Sequence, residues 1–277
     1  MRQRTLGKKE KTAAVKVGIF RTIFSQRAWN GMKEKKQKGD TMERLNKYLA
    51  ACGVCSRRDA DRLMEEGHVL VDGEIAAIGM RVSGKERIIV NGKTVAGKEE
   101  KVVLAYYKPV GVVCTERDSH AERKINDELK YPVRLTYAGR LDKDSEGLLM
   151  MTNDGALIDA MMRGANRHEK EYMVRVDKEI TPEFLRGMAN GVYLKELDLT
   201  TRPCEIRQNG KYTFVIILTQ GVNRQIRRMV EHFGYRIRSL KRVRVMNVNL
   251  ASLKPGEYRI VEGNEQKQLY RQAGLLN

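Results

Sequence analysis

"AGRLDKDSEGLLMMTNDG", residues 138–155, sets Arg140, Asp142, Asp144 and Glu146 close together and then runs into Leu148, Leu149, Met150 and Met151. Three acids spaced two apart suggest a calcium loop. An EF-hand register begun at Asp142 needs further oxygen ligands at its seventh and ninth positions and a bidentate Glu at the twelfth. That register supplies Leu, Leu, Met and Met and ends on Asn153. A hard cation finds no ligands there, so the metal reading fails. The alternative is a buried strand "LLMMT" with a charged turn at its mouth, where Gly139 and Gly147 allow a tight path. A carboxylate held against a core is costly unless a cation and hydrogen bonds keep it ionised.

The cation is sought in "GVNRQIRRMVEHFG", 221–234. Ile226, Met229, Val230 and Phe233 form an apolar stripe at helical spacing, with Gly234 as the stop. Arg224, Arg227, Arg228 and Glu231 turn away from the stripe. Arg227 borders it, where a half-buried guanidinium can match a carboxylate. Around this pair, "KVVLAYYKPVGVVCT" reads as strand, Lys108-Pro109 turn, strand. "EKEYMVRVD" alternates, with Tyr172, Val174 and Val176 on one face. "KYTFVIILTQ" is a further strand, and "TPEFLRGMANG" is a helix capped by Thr181 and closed by Gly191. Strands outnumber helices without βαβ alternation. The expected class is α+β on a mixed, mostly antiparallel sheet.

The N-terminal side is a smaller module. "MERLNKYLAAC" from Met42 reads as a helix, and Ser56 with Asp59 caps a second, "RRDADRLMEEG". "HVLVDGEIA" and "RIIVNGKTV" each place a D-G or N-G pair between apolar runs, the signature of a hairpin. Arg57 and Arg58 stand at a capped helix start beside Lys47, where backbone N–H groups also favour anions. The module's net charge is only +1 over 42–93, so anion binding there depends on placement. Replacing Arg57 and Arg58 together is expected to weaken polyanion binding and flatten its salt dependence without unfolding the chain, as a filter-binding series against salt would record.

The chain has 277 residues and a net charge of +18, and the excess is concentrated. Residues 1–41 hold 12 Lys/Arg against 3 Asp/Glu, and residues 221–244 hold 8 against 1. Two local basic concentrations point to a polyanion. Lipid ranks below nucleic acid, since no segment approaches the roughly 18 apolar residues of a membrane span. Of Cys52, Cys55, Cys114 and Cys204, only the first two have metal or redox spacing. No second pair completes a zinc site, so reduced thiols and no disulfide are expected. His68, His120, His168 and His232 have no triad or ligand spacing. Residues 1–41, acid-poor and basic, mimic a transit peptide but are read as a dispensable, disordered extension. Trimming to Met42 should leave melting temperature and activity unchanged.

Two resemblances follow from these motifs. "RLNKYLAACGVCSRRDADRLMEEGHVLVDG" resembles the alpha-L RNA-binding module first described in a small-subunit ribosomal protein. "AGRLDKDSEGLLMMTNDG", "KEYMV", "GVNRQIRRM" and "YYKPVG" resemble the motifs of ribosomal RNA pseudouridine synthases of the RsuA type. The context "HEKEYMVRVDKEITPEFLRGMANGV" is most similar to members acting on large-subunit RNA. The resemblance implies a basic extension at 1–41, an alpha-L RNA-binding domain at 42–97, a pseudouridine synthase catalytic domain at 98–262 and a C-terminal tail at 263–277. It implies Asp142 as the catalytic aspartate, Tyr172 as the active-site tyrosine and Arg227 as the aspartate's partner. Arg140 falls near the flipped nucleotide, with Lys47, Arg57, Arg58, Arg224 and Arg228 as further RNA contacts. Asp144 and Glu146 are expected to be bystanders, and the Lys108-Pro109 turn structural. The isomerisation adds no atoms, so no metal or other cofactor is expected. The implied partner is a structured stem-loop of ribosomal RNA, with pre-ribosomal particles as its carrier. A cytoplasmic monomer without membrane contact is the corresponding expectation. The rivals are a non-catalytic RNA-binding or ribosome-assembly protein on the same fold, a synthase for small-subunit or transfer RNA, and a metal-dependent nuclease.

Overall fold

The structure is a computed structural model that describes residues 42–115 and 122–276. The expectations for 1–41 and His120 lie outside the described residues. The first helix, α1 (Leu45–Ala51), begins three residues later than its sequence suggests. Arg44 is extended (φ −64°, ψ 133°), and Glu43–Arg44 pairs with Arg81–Val82 instead. Helix α2 (Arg57–Glu65) starts where expected, with Ser56 Oγ accepting from the Asp59 N–H at 3.2 Å. Two hairpins follow, β1 (Val69–Val71) with β2 (Glu74–Ile75) and β3 (Ile88–Val90) with β4 (Lys93–Thr94). Their turn residues Asp72, Gly73, Asn91 and Gly92 all have positive φ, between 48° and 93°, as the type I′ turn requires. Leu45, Leu49, Ala60, Met64, Val69, Val82 and Ile88 close a small core of their own. The segment that leads out of this module is fastened to it. Lys98 pairs with Glu43 and sits 5.3 Å over the Tyr48 ring.

Beyond it lie β5 (Val103–Lys108), α3 (Ile125–Glu128), β6 (Thr136–Ala138), β7 (Glu146–Thr152), α4 (Gly155–Met162), β8 (Lys170–Val176) and α5 (Pro182–Ala189). They are followed by β9 (Glu205–Gln208), β10 (Thr213–Leu218), α6 (Gln225–His232), β11 (Ile237–Val245), β12 (Val248–Asn249), β13 (Tyr258–Ile260) and α7 (Gly263–Gln272). One nine-stranded sheet runs β9-β10-β8-β11-β7-β5-β13, with β12 on β11 and β6 on β7. All its pairings are antiparallel except β11 with β7, a parallel join of two residue pairs, Lys241–Glu146 and Arg242–Gly147. The join brings two backbones unusually close. Gly147 has φ +105°, and a Cβ there would lie 2.3 Å from the Arg242 carbonyl oxygen. Glycine alone fits.

Both faces of the sheet are covered near this seam, so all six residues of β5 are buried. Leu148, Met150, Ala105 and Val245 pack on one face with Leu157 and Leu269. On the other face, Leu104, Leu149 and Met151 form one cluster, and Val174, Phe214, Ile216 and Leu240 form another. Two expectations are corrected. Residues 112–115 do not form a strand, and Val113 makes only an isolated bridge to Lys124. Residues 263–277 are not a loose tail: α7 buries Leu269, and Ala273 beyond it is also in the core.

Candidate active site

Asp142 sits in the turn before β7, closed by the Ser145 N–H donating to the Asp142 carbonyl at 3.1 Å. The Gly111 N–H holds the Lys143 carbonyl at 2.7 Å. Lys108, fully buried, donates from Nζ to the carbonyls of Ser145 (2.7 Å) and Pro109 (2.9 Å). Burial is the main cause that pulls its ammonium down to about 8; Asp142 and Asp144 act in the opposite direction. The Lys-Pro turn therefore braces the loop.

The facing wall is the start of α6. Arg227 Nη2 donates to the Asp144 carbonyl at 2.9 Å and to Ser145 Oγ at 3.1 Å, and lies 3.3 Å from the Asp144 carboxylate. Its Nε lies 3.9 Å from Asp142 Oδ2, buried and without a hydrogen bond. Arg224 reaches both acids, at 3.8 Å to Asp142 and 3.4 Å to Asp144. It caps α6 in the left-handed region (φ +51°), a conformation unusual for Arg and one that costs local strain. Asp142 thus faces two guanidiniums, and its approach to Arg227 is the looser one. Asp144 is no bystander, since it holds the closer ends of both arginines. Glu146 is also engaged, accepting from Tyr107 Oη at 2.8 Å and lying 3.9 Å from Lys241 Nζ.

Between loop and helix opens a cavity of about 110 Å³, lined by Arg140, Asp142, Tyr172, Gln220, Arg224 and Arg227 among others. Tyr172 enters from β8, and Leu218 and Gln220 from the end of β10. Five of the residues singled out in the sequence therefore meet at one opening, drawn from three separate segments. Arg228 does not line it, being paired with Glu196 and donating from Nε to the Asn223 carbonyl. Lys47, Arg57 and Arg58 lie elsewhere, exposed on α1 and α2. Ser145, 1% exposed, and Gln220 escaped the sequence reading, since a lone Ser or Gln carries no periodic signal. Among the described residues no group of three or more His, Cys, Asp or Glu is placed to hold a metal.

A carboxylate faced by two arginines, with a tyrosine lining the same cavity, suits an anionic, planar substrate. The comparisons with known proteins agree. Residues 102–232 match the family described as RNA pseudouridylate synthase, and 43–88 match the S4 domain. The chain belongs to the RNA pseudouridylate synthase family, in the branch that carries an S4 domain, and is an enzyme that isomerises uridine to pseudouridine. It is 44% identical over 234 residues to the dual-specificity RNA pseudouridine synthase RluF of Escherichia coli K12, covering 84% of this chain and 80% of that protein. To ribosomal large subunit pseudouridine synthase B of Bacillus subtilis it is 38% identical over 237 residues, 82% of this chain and 96% of that one. A solved structure, described as a pseudouridylate synthase, superposes with a TM-score of 0.61 at 26% identity, covering 82% of this chain and 99% of that chain.

Proposed function

We propose that this enzyme isomerises a uridine of large-subunit ribosomal RNA, with 42–97 as its RNA-binding domain and 98–262 as its catalytic domain. The observation that carries the site assignment is the convergence of Asp142, Arg227, Tyr172 and Arg140 on one cavity. The bond from C1′ to N1 of uracil breaks, the base turns within the pocket, and C5 bonds to C1′. C5 then loses its proton and N1 gains one, so atoms balance without a cofactor. Asp142 acts as nucleophile or base, Arg227 and Arg224 face its carboxylate, and Tyr172 stacks on the base. Arg140, exposed at the cavity rim, contacts the extruded nucleotide; extrusion costs a few kcal/mol. Phosphate contacts from Lys47, Arg57, Arg58 and Arg224 offset that cost, and Arg228 would exchange Glu196 for a phosphate.

The large-subunit target is supported by the name of the Bacillus subtilis relative. The test is tritium release from C5-labelled uridine in purified large-subunit, small-subunit and transfer RNA, each with and without chelator. Release from large-subunit RNA is expected. Release only from another RNA would overturn the target, and release abolished by chelator would overturn the cofactor-free chemistry.

A further inference from the structure

Arg242 lies in the middle of β11, and its side chain is 2% exposed. It is a full charge in the sheet, and among the described residues no carboxylate pairs with it. Its neighbours in charge are Lys108 and Lys170, whose ammonium groups it helps to hold down, after burial. Such an arrangement is expensive, because a buried cation without a counter-ion is less stable than an apolar side chain of similar size. Its bonds indicate what the guanidinium does. Nε donates to the Leu148 carbonyl at 2.7 Å, and Nη1 reaches the Arg140 carbonyl at 3.4 Å. Those two carbonyls flank the segment Leu141–Gly147, which contains Asp142. The Arg242 backbone pairs with Gly147 in the same segment. Nη2 is buried without an acceptor.

We propose that Arg242 is a positioning residue, a staple across the base of the Asp142 loop that fixes the distance between the carboxylate and the helix α6 arginines. Arg227 and Lys108 bond carbonyls in the middle of the loop, at Asp144 and Ser145. Among the described residues, Arg242 alone joins its two ends. Without the staple the loop keeps its inner contacts but loses the anchor that sets its height above the sheet. Displacing a reacting group by about 1 Å costs on the order of 100-fold in rate.

The inference rests on Asp142 being the working carboxylate, so Asp142→Asn is run beside it. Single-turnover rates and RNA affinity are measured for Arg242→Met and Arg242→Lys. Arg242→Met should lose about 100-fold in kcat while KM and the RNA Kd stay within about threefold. Arg242→Lys, which offers one compact nitrogen in place of the separate Nε and Nη1 that reach the two carbonyls, should recover part of that loss and settle about tenfold below the wild type. A folded Arg242→Met with wild-type kcat would overturn the proposal. So would a loss of kcat matched by an equal loss of RNA affinity. If Arg242→Met does not fold, Arg242→Lys decides: a wild-type kcat there overturns the staple. An active Asp142→Asn overturns the reading of the site itself. An inactive Asp142→Asn beside a fully active Arg242→Met removes only the staple.

Discussion

Asp142→Asn is expected to lower tritium release by about 10³-fold or more while leaving RNA binding and melting temperature close to the wild type. The substitution keeps shape and volume but removes the charge and the nucleophilic or basic oxygen. The loop should hold, because its braces bond main-chain carbonyls and Ser145, not the Asp142 side chain. Asp142 is about one-third exposed, so an amide there is readily solvated. Asp144→Asn serves as the comparison: it touches the same two arginines more closely, yet only its neighbour's carboxylate faces the cavity. Its loss should cost about tenfold, through the poise of Arg227. A retained rate in Asp142→Asn would mean that another group carries the chemistry.

The largest effect on folding is expected at Gly147. Gly147→Ala combines a positive φ of 105° with a Cβ 2.3 Å from the Arg242 carbonyl oxygen. Neither problem has a flexible side chain to absorb it, since both lie in backbone. The expected cost is about 3 kcal/mol or more. That corresponds to a fall of about 6–12 °C in melting temperature for a chain of this size. Gly155→Ala is the control: it opens α4, has no positive φ, and its added Cβ meets nothing within 4 Å. Alanine there should be neutral or mildly stabilising. Equal melting temperatures for the two variants would show that the seam tolerates an open join.

Local codes were legible in the sequence where they act over a few residues. The D-G and N-G turns, the Ser56 and Thr181 caps and the α6 stripe all stand where their residue types put them. What escaped depends on the order of strands. Residues 112–115 have strand composition, but β5 is already paired on both sides, with β7 and β13, so no adjoining position remains. Helix α7 gives a weak signal: Glu262 supplies no side-chain cap, and its buried contacts reduce to Leu269 and Ala273, four apart among polar residues. In the site, Asp142, Tyr172, Arg140 and Arg227 were legible through family motifs. The hold of Asp144 on both arginines was not, because it depends on how a turn bends toward a helix 80 positions away. Arg242 carries a signal in its strand position. By strand alternation it shares the buried parity of Leu240, and a cation on that parity marks a group with work to do.

The two-rung seam between β7 and β11 also bears on when the enzyme can first be active. The residues that meet there are about 95 positions apart in the chain, and Asp142 precedes Arg227 by 85. Contacts at that separation form late and slowly, since a long loop must close before they return any energy. At synthesis rates of about 5–20 residues per second, roughly 4–17 s pass between the making of the carboxylate and of its arginine. Through that interval the first half of the sheet exposes an edge at β7, where β11 will later pair. If the N-terminal module binds RNA as proposed, the nascent protein carries it before it carries a pocket, and would engage RNA before it could modify any.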